Sequence, residues 1–180
     1  MITIKKKAKV SMMGNVEAFI FPADRIRNYN DYLLLGGSPA FPTYRSIVAH
    51  SIAIQYERKD NLVVDAGMQR TIDLWIGDVS GAFTHCGVGS GTTAPVAGNT
   101  DLETPIGREA ITDSYRSGLG AHFDTFFSTS AQNGTWEETG IFSASSGGTM
   151  LCRKKFDSTF TKSTANTALI AWTITIAAVP

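Results

Sequence analysis

A surplus of charge of either sign is missing from this 180-residue chain: 16 Lys plus Arg stand against 16 Asp plus Glu, for a formal net charge of zero. A nucleic-acid partner or an acidic membrane surface would call for a basic excess, so neither is expected. The one dense basic run, Lys5-Lys6-Lys7, reads as a solvated edge strand that resists unwanted pairing. Cysteine is scarce. Cys86 and Cys152 are too few for a disulfide framework and show no metal-ligand spacing; they read as small buried hydrophobes, with a single bridge between them left open. No window reaches the ~18 apolar residues of a membrane span, and the opening MITIKKKAKVSMMG lacks the apolar run of a secretory signal. A soluble chain made in the cytoplasm is expected.

Catalytic signatures are absent as well. His50, His85 and His122 are scattered without HxH, HExxH or a carboxylate at ligand spacing, which argues against a metal. There is no GxxxxGK[ST], no GxGxxG opening a helix and no GxSxG elbow, so neither a nucleotide cofactor nor nucleophilic hydrolysis is expected. The sequence reads as that of a non-enzyme without cofactors.

What is present is strand material punctuated by glycine. An apolar fraction of 43% over 180 residues suffices for one core, and the alternating segments predict a single mainly β domain over 1–180, an antiparallel β-sandwich of jelly-roll-like kind with one short helix. Residues 1–21 read as an N-terminal strand or arm, with a hairpin or bulge at Met13-Gly14-Asn15 and a stop at Pro22. Residues 22–45, rich in Gly and Pro, read as a long surface excursion with one short element at Tyr32 to Leu35. Its aromatic residues Tyr29, Tyr32, Phe41 and Tyr44 would suit a subunit interface, or would fold back onto the core.

Ser46 to Tyr56 alternates as a half-buried strand with His50 on its apolar face. Asn61 to Asp78 then changes period, and a short helix is expected from about Gly67 to Ile76, capped by Asp65, ended near Gly77, with Trp75 in the core. Phe83 to Pro95, FTHCGVGSGTTAP, reads as a core strand running into a turn in which Gly87, Gly89 and Gly91 let the backbone pass close to its neighbours. Asn133-Gly134 and Gly147-Gly148 predict hairpins. The last strand, Thr167 to Ala178, places Ala168, Ile170, Trp172, Ile174 and Ile176 on one face.

Glu138 is the acidic residue that invites chemistry, because alternation puts it on the face shared by Trp136 and Phe142. Adjacent strand residues point to opposite faces, so Glu137 cannot be its partner in a glycosidase pair, and nothing selects Asp113 or Asp124 for that role. The favoured reading is a structural glutamate that accepts hydrogen bonds from loop N–H groups such as those of a glycine-rich turn.

NLVVDAG at Asn61 to Gly67, HCGVGSGTTAPVAGNTDLETPIGRE at His85 to Glu109, NGTWEETGIFSASSGGTMLCRKKF at Asn133 to Phe156 and the closing KSTANTALIAWTITI follow in an order that resembles a group of tailed-bacteriophage virion proteins, tail or tail-fibre-associated. Glu138, Gly140 and Phe142 occupy the E-x-G-L-F hairpin pattern, and Lys162 with Trp172 the final one. The resemblance spans Asn61 onward, about two thirds of the chain, and departs in the first sixty residues. It implies a structural subunit of a virion that repeats around a symmetry axis, with copies of itself and other virion proteins as partners and a tail, collar or baseplate position. A capsid-decorating or head-fibre protein and a receptor- or glycan-binding module built on Trp75 and Trp136 are the alternatives.

Overall fold

The computed structural model describes residues 9–34 and 49–179. Phe41, Tyr44 and the Lys5-Lys6-Lys7 run lie outside them. The chain is mainly β: β1 (Lys9–Pro22), β2 (Gln55–Val63), β3 (His85–Gly89), β4 (Pro105–Ala110), β5 (Asp113–Ser117), β6 (Gly120–Phe127), β7 (Gly134–Phe142), β8 (Met150–Lys162) and β9 (Asn166–Val179). Three helical elements accompany them: α1 (Tyr29–Leu34), α2, described over 49–52, and α3 (Asp65–Ile76). All strand pairs are antiparallel, and the order β4-β3-β7-β8-β2-β1-β9-β6-β5 makes one nine-stranded sheet curled into a half-barrel. β4 and β5 are its two opposite edges, yet only residues 111 and 112 separate them in sequence. That short link brings the edges together and obliges the sheet to curl.

Strand alternation sorts the side chains between the two faces. Val16, Ala18 and Ile20 of β1 and Ala168, Ile170, Trp172 and Ile174 of β9 turn inward to meet Cys86, Val88, Ile141, Phe156 and Phe160. The odd-numbered Phe19, Phe21 and Leu169 turn outward, where Ile26, Tyr32 and Ala49 cover them. Each fully buried large apolar side chain contributes roughly 1.5–3 kcal/mol relative to exposure, so this two-sided burial is what holds β1 and β9 at the centre.

Several expectations are corrected. β1 runs unbroken through Met13-Gly14-Asn15, because the Asn61 side chain from β2 occupies the space where a Cβ of Gly14 would sit, so the glycine serves packing instead of a turn. The alternating Ser46–Tyr56 segment is helical over 49–52 and becomes strand at Gln55. Ala49, Ile52 and Ala53 satisfy i, i+3, i+4 spacing as well, and they pack on the Phe19–Phe21 cluster. Asn133-Gly134 does not close a hairpin: β6 pairs with β5 and β9, β7 with β3 and β8, so residues 128–133 cross between them. The Gly147-Gly148 turn does join the paired strands β7 and β8, with both glycines at positive φ (58° and 67°).

Helix α3 begins at Asp65 and ends at the left-handed Gly77 (φ 81°). Asp65 does not cap it; Val64 holds the cap position with no side-chain bond, and the Asp65 N–H is satisfied by the Ala97 carbonyl at 2.9 Å. Trp75 lies outside the core, 64% exposed.

Candidate functional site

Residues 90–104, between β3 and β4, form a strap whose neck is closed by Ser90 N–H on the Thr104 carbonyl (2.9 Å), the close-ended geometry of an Ω-loop. It crosses the outer face of β3, β7 and β8. Beneath it lies Glu138, fully buried, with every oxygen engaged. Oε1 accepts the N–H groups of Gly91 (3.1 Å) and Thr104 (2.8 Å); Oε2 accepts the Glu103 N–H (3.1 Å) and Arg153 Nε (2.8 Å). Arg153, 1% exposed, carries the network onward through Nη1 to Asn99 Oδ1 (3.0 Å) and Nη2 to the Thr93 carbonyl (3.2 Å), with the Glu103 carboxylate 3.8 Å away. The Thr93 N–H and hydroxyl, helped by Arg153, hold the Glu103 carboxyl below the usual carboxylate range.

The glycines explain how a strap fits so close. A Cβ on Gly89 would stand 2.6 Å from the Thr104 carbonyl and 2.7 Å from Glu138 Oε1, and one on Gly91 would collide with that same oxygen. Gly87 and Gly140, paired in register across β3 and β7, leave a dimple that Leu102 fills from the strap. Arg108 fastens one flank: its guanidinium sits 3.5 Å from the Phe142 ring centroid, pairs with Asp101 at 3.0 Å and donates to the Ala144 and Gly147 carbonyls. The strap tip reaches α3 through the Ala97 carbonyl, so one buried carboxylate ties together the glycine-rich strand, the β7–β8 hairpin and the helix.

The N–H groups of the glycine-rich turn therefore do end on Glu138. Phe142 shares its face as expected, but Trp136 does not, because the register shifts between Trp136 and Glu138. Trp136 joins Phe127 in the enclosed cluster, while Glu138 stays with Leu102 and Phe142 under the strap. Arg153 was missed by the sequence reading; a cationic residue within a strand otherwise facing the core, RKK after Leu151-Cys152, was the available signal. Glu137 points away and accepts the Thr159 hydroxyl at 2.6 Å. Asp113 and Asp124 are opposed on β5 and β6 and both receive the Tyr29 hydroxyl, Asp124 at 2.7 Å.

Of the two readings for Tyr29 and Tyr32, folding back onto the core is the one the geometry favours: the half-buried Tyr29 ring stacks on Tyr32, which is 6% exposed, and both pack against the Phe19–Phe21 cluster. His50 packs edge-on against Tyr56 (ring centroids 3.6 Å apart) and Phe19 (5.5 Å) but stays exposed on the short helix at 49–52, where a strand with His50 on its buried face was expected. Cys86 and Cys152 are free and fully buried. Both are registered against Ile141, one on each side, which places them two strands and about 10 Å apart, beyond disulfide reach. Burial pushes the Cys86 thiol up to about 11 and the Cys152 thiol higher still. Trp172 is fully buried beside Cys86, on the inner wall of the sheet. Lys162 is 2% exposed, donating to Asn133 Oδ1 (2.9 Å) and to the carbonyls of Thr129 and Ser163. Among the described residues no three His, Cys, Asp or Glu side chains gather as a metal group.

The arrangement is chemically closed. Glu138 has no lone pair left for a substrate and no path to solvent, and its charge is neutralised at contact distance. No protein-family model matches the chain, and no curated protein or solved structure matches it at a significant level.

Proposed function

We propose that this chain is a non-enzymatic structural subunit of a tailed-phage virion, oligomeric and belonging to the tail, collar or baseplate, with its curled sheet packed in sandwich fashion. The observation that carries the reading is the Glu138–Arg153 centre: the motif by which the sequence resembles virion proteins is spent on bracing a surface loop and a helix against a sheet. A buried ion pair with all its partners met fixes geometry more than it adds stability, which suits a part that must present constant surfaces to its neighbours.

A capsid-decorating or head-fibre position is the alternative within the same class. For a glycan-binding module, exposed Trp75 is the favourable feature, but Trp136 is buried and the pocket beside Trp75 is apolar, with Thr71 the one polar side chain lining it and that hydroxyl already bonded to the Gly67 carbonyl. Peptide mass spectrometry of purified particles tests the proposal: the chain should be present in a fixed copy number per particle, and its absence would overturn both virion readings.

A further inference from the structure

The open end of the curled sheet holds a pocket of about 270 Å³, walled by α3 on one side and by β1, β6 and β9 on the other. Met12, Phe83, Phe123 and Ile174 form its floor, and Trp75 and Leu119 stand at its lip. Leu119, at the β5–β6 turn, is 73% exposed; Ile72 (52%) and Ile76 (65%) extend the apolar stripe from Trp75 along the same flank of α3. Those four side chains present roughly 500 Å² of apolar surface, the upper end of what a monomer tolerates in one patch. A standard interface buries about 800 Å² per partner, and homodimer interfaces are about 65% apolar, so this patch is the right size for the centre of one.

The charges at its border are divided. Asp73 and Asp78 stand at the C-terminal end of α3, where the helix dipole is also negative and no basic residue occupies the last turn. Arg116, on β5, is registered against Ala121 of the opposite wall and donates to the Gly118 carbonyl at 2.9 Å. None of the three has an ion-pair partner among the described residues. Arg70, also on α3, is held by the Ser80 and Gly81 carbonyls and over the Phe83 ring, which leaves Asp73 and Asp78 as the outward charges of that side. An apolar centre with such acid on one side and Arg116 on the other is complementary to itself under a two-fold axis.

We infer that a second copy of this chain closes the mouth of the sheet, Trp75 and Leu119 of each copy packing on the other and Arg116 facing the partner's α3 terminus. This surface replaces the Tyr29–Tyr32 region as the self-contact. The inference rests on the oligomer reading above and narrows it to one face.

Sedimentation of the full chain over a concentration series tests it. Wild type should dimerise; Trp75→Glu and Leu119→Glu should each weaken association at least ~30-fold, as hot-spot residues do, with unchanged circular dichroism. Arg116→Asp and Asp78→Arg should each weaken it, and the double reversal should restore it, which guards against a variant that merely misfolds. A wild-type monomer at every concentration, or one carrying a small apolar molecule in native mass spectrometry, overturns this inference and the oligomer reading together. Oligomers indifferent to Trp75, Leu119 and the charge reversals overturn the interface alone.

Discussion

Replacing Glu138 by Gln keeps the shape of the side chain and reverses the polarity of one of its ends. In the native chain each carboxylate oxygen accepts two donors, Gly91 and Thr104 on one, Glu103 and Arg153 on the other. Whichever way the carboxamide turns, its NH₂ group meets two donors, and Arg153 loses its closest counter-charge while remaining 1% exposed. Breaking a buried pair from one side costs about 3–5 kcal/mol. Against a total stability of about 5–15 kcal/mol that is a large share, and for a domain of this size each kcal/mol moves the midpoint by about 2–4 °C, so Tm should fall by roughly 10 °C.

Urea denaturation of wild type, Glu138→Gln and the double variant Glu138→Leu/Arg153→Met measures this. The double variant should recover part of the loss, since it strands no charge, but not all of it, since the strap N–H groups remain unpaired. Hydrogen exchange in Glu138→Gln should quicken at Gly91, Glu103 and Thr104 ahead of the β1–β9 core. A Glu138→Gln variant within about 1 kcal/mol of wild type, with strap exchange unchanged, would mean that the network contributes nothing beyond what water supplies.

Three further outcomes follow from the same geometry. Gly91→Ala forces a Cβ onto Glu138 Oε1 and within 2.5 Å of the Glu103 Cβ, and should cost about 1–3 kcal/mol in urea unfolding. Burial lowers the Lys162 ammonium from 10.5 to about 8; the unfolded chain then holds the proton more tightly, so Lys162's contribution is lost as pH falls through 8 and grows from there toward 10.5. Lys162→Met should remove that rise, read as urea midpoints at neutral pH and at about pH 9.5. Cys86 and Cys152 should resist a thiol reagent in the native state and react fully in denaturant, since both are buried and burial raises both thiols; fast native labelling of either would contradict the packing of the inner face.

Legibility in the sequence followed from how local the determining force was. β9 was readable because one face of a long strand is buried in a single core, so Ala168, Ile170, Trp172 and Ile174 alternate without interruption. The glycine-rich stretch and Glu138 were readable as partners because three glycines in five positions have few uses other than close approach. The 49–52 segment was not, since Ala49, Ile52 and Ala53 fit both periods and only the Phe19 cluster decides between them. Asn133-Gly134 carried the right dipeptide for a hairpin, but β6 finds β9 from 41 to 55 residues away, a pairing set by burial of Phe127 against the inner core. Trp75 misled because its helix has an apolar flank that its own sheet does not cover.

Cryo-EM density of purified tailed-phage particles tests whether this fold is a building part of a virion. The nine-stranded sheet should repeat around a symmetry axis, with the 90–104 strap ordered in every copy and the Trp75–Leu119 face buried between neighbours. Particles that lack the chain, together with a hydrolytic activity of the purified protein lost in Glu138→Gln without loss of folding, would contradict it.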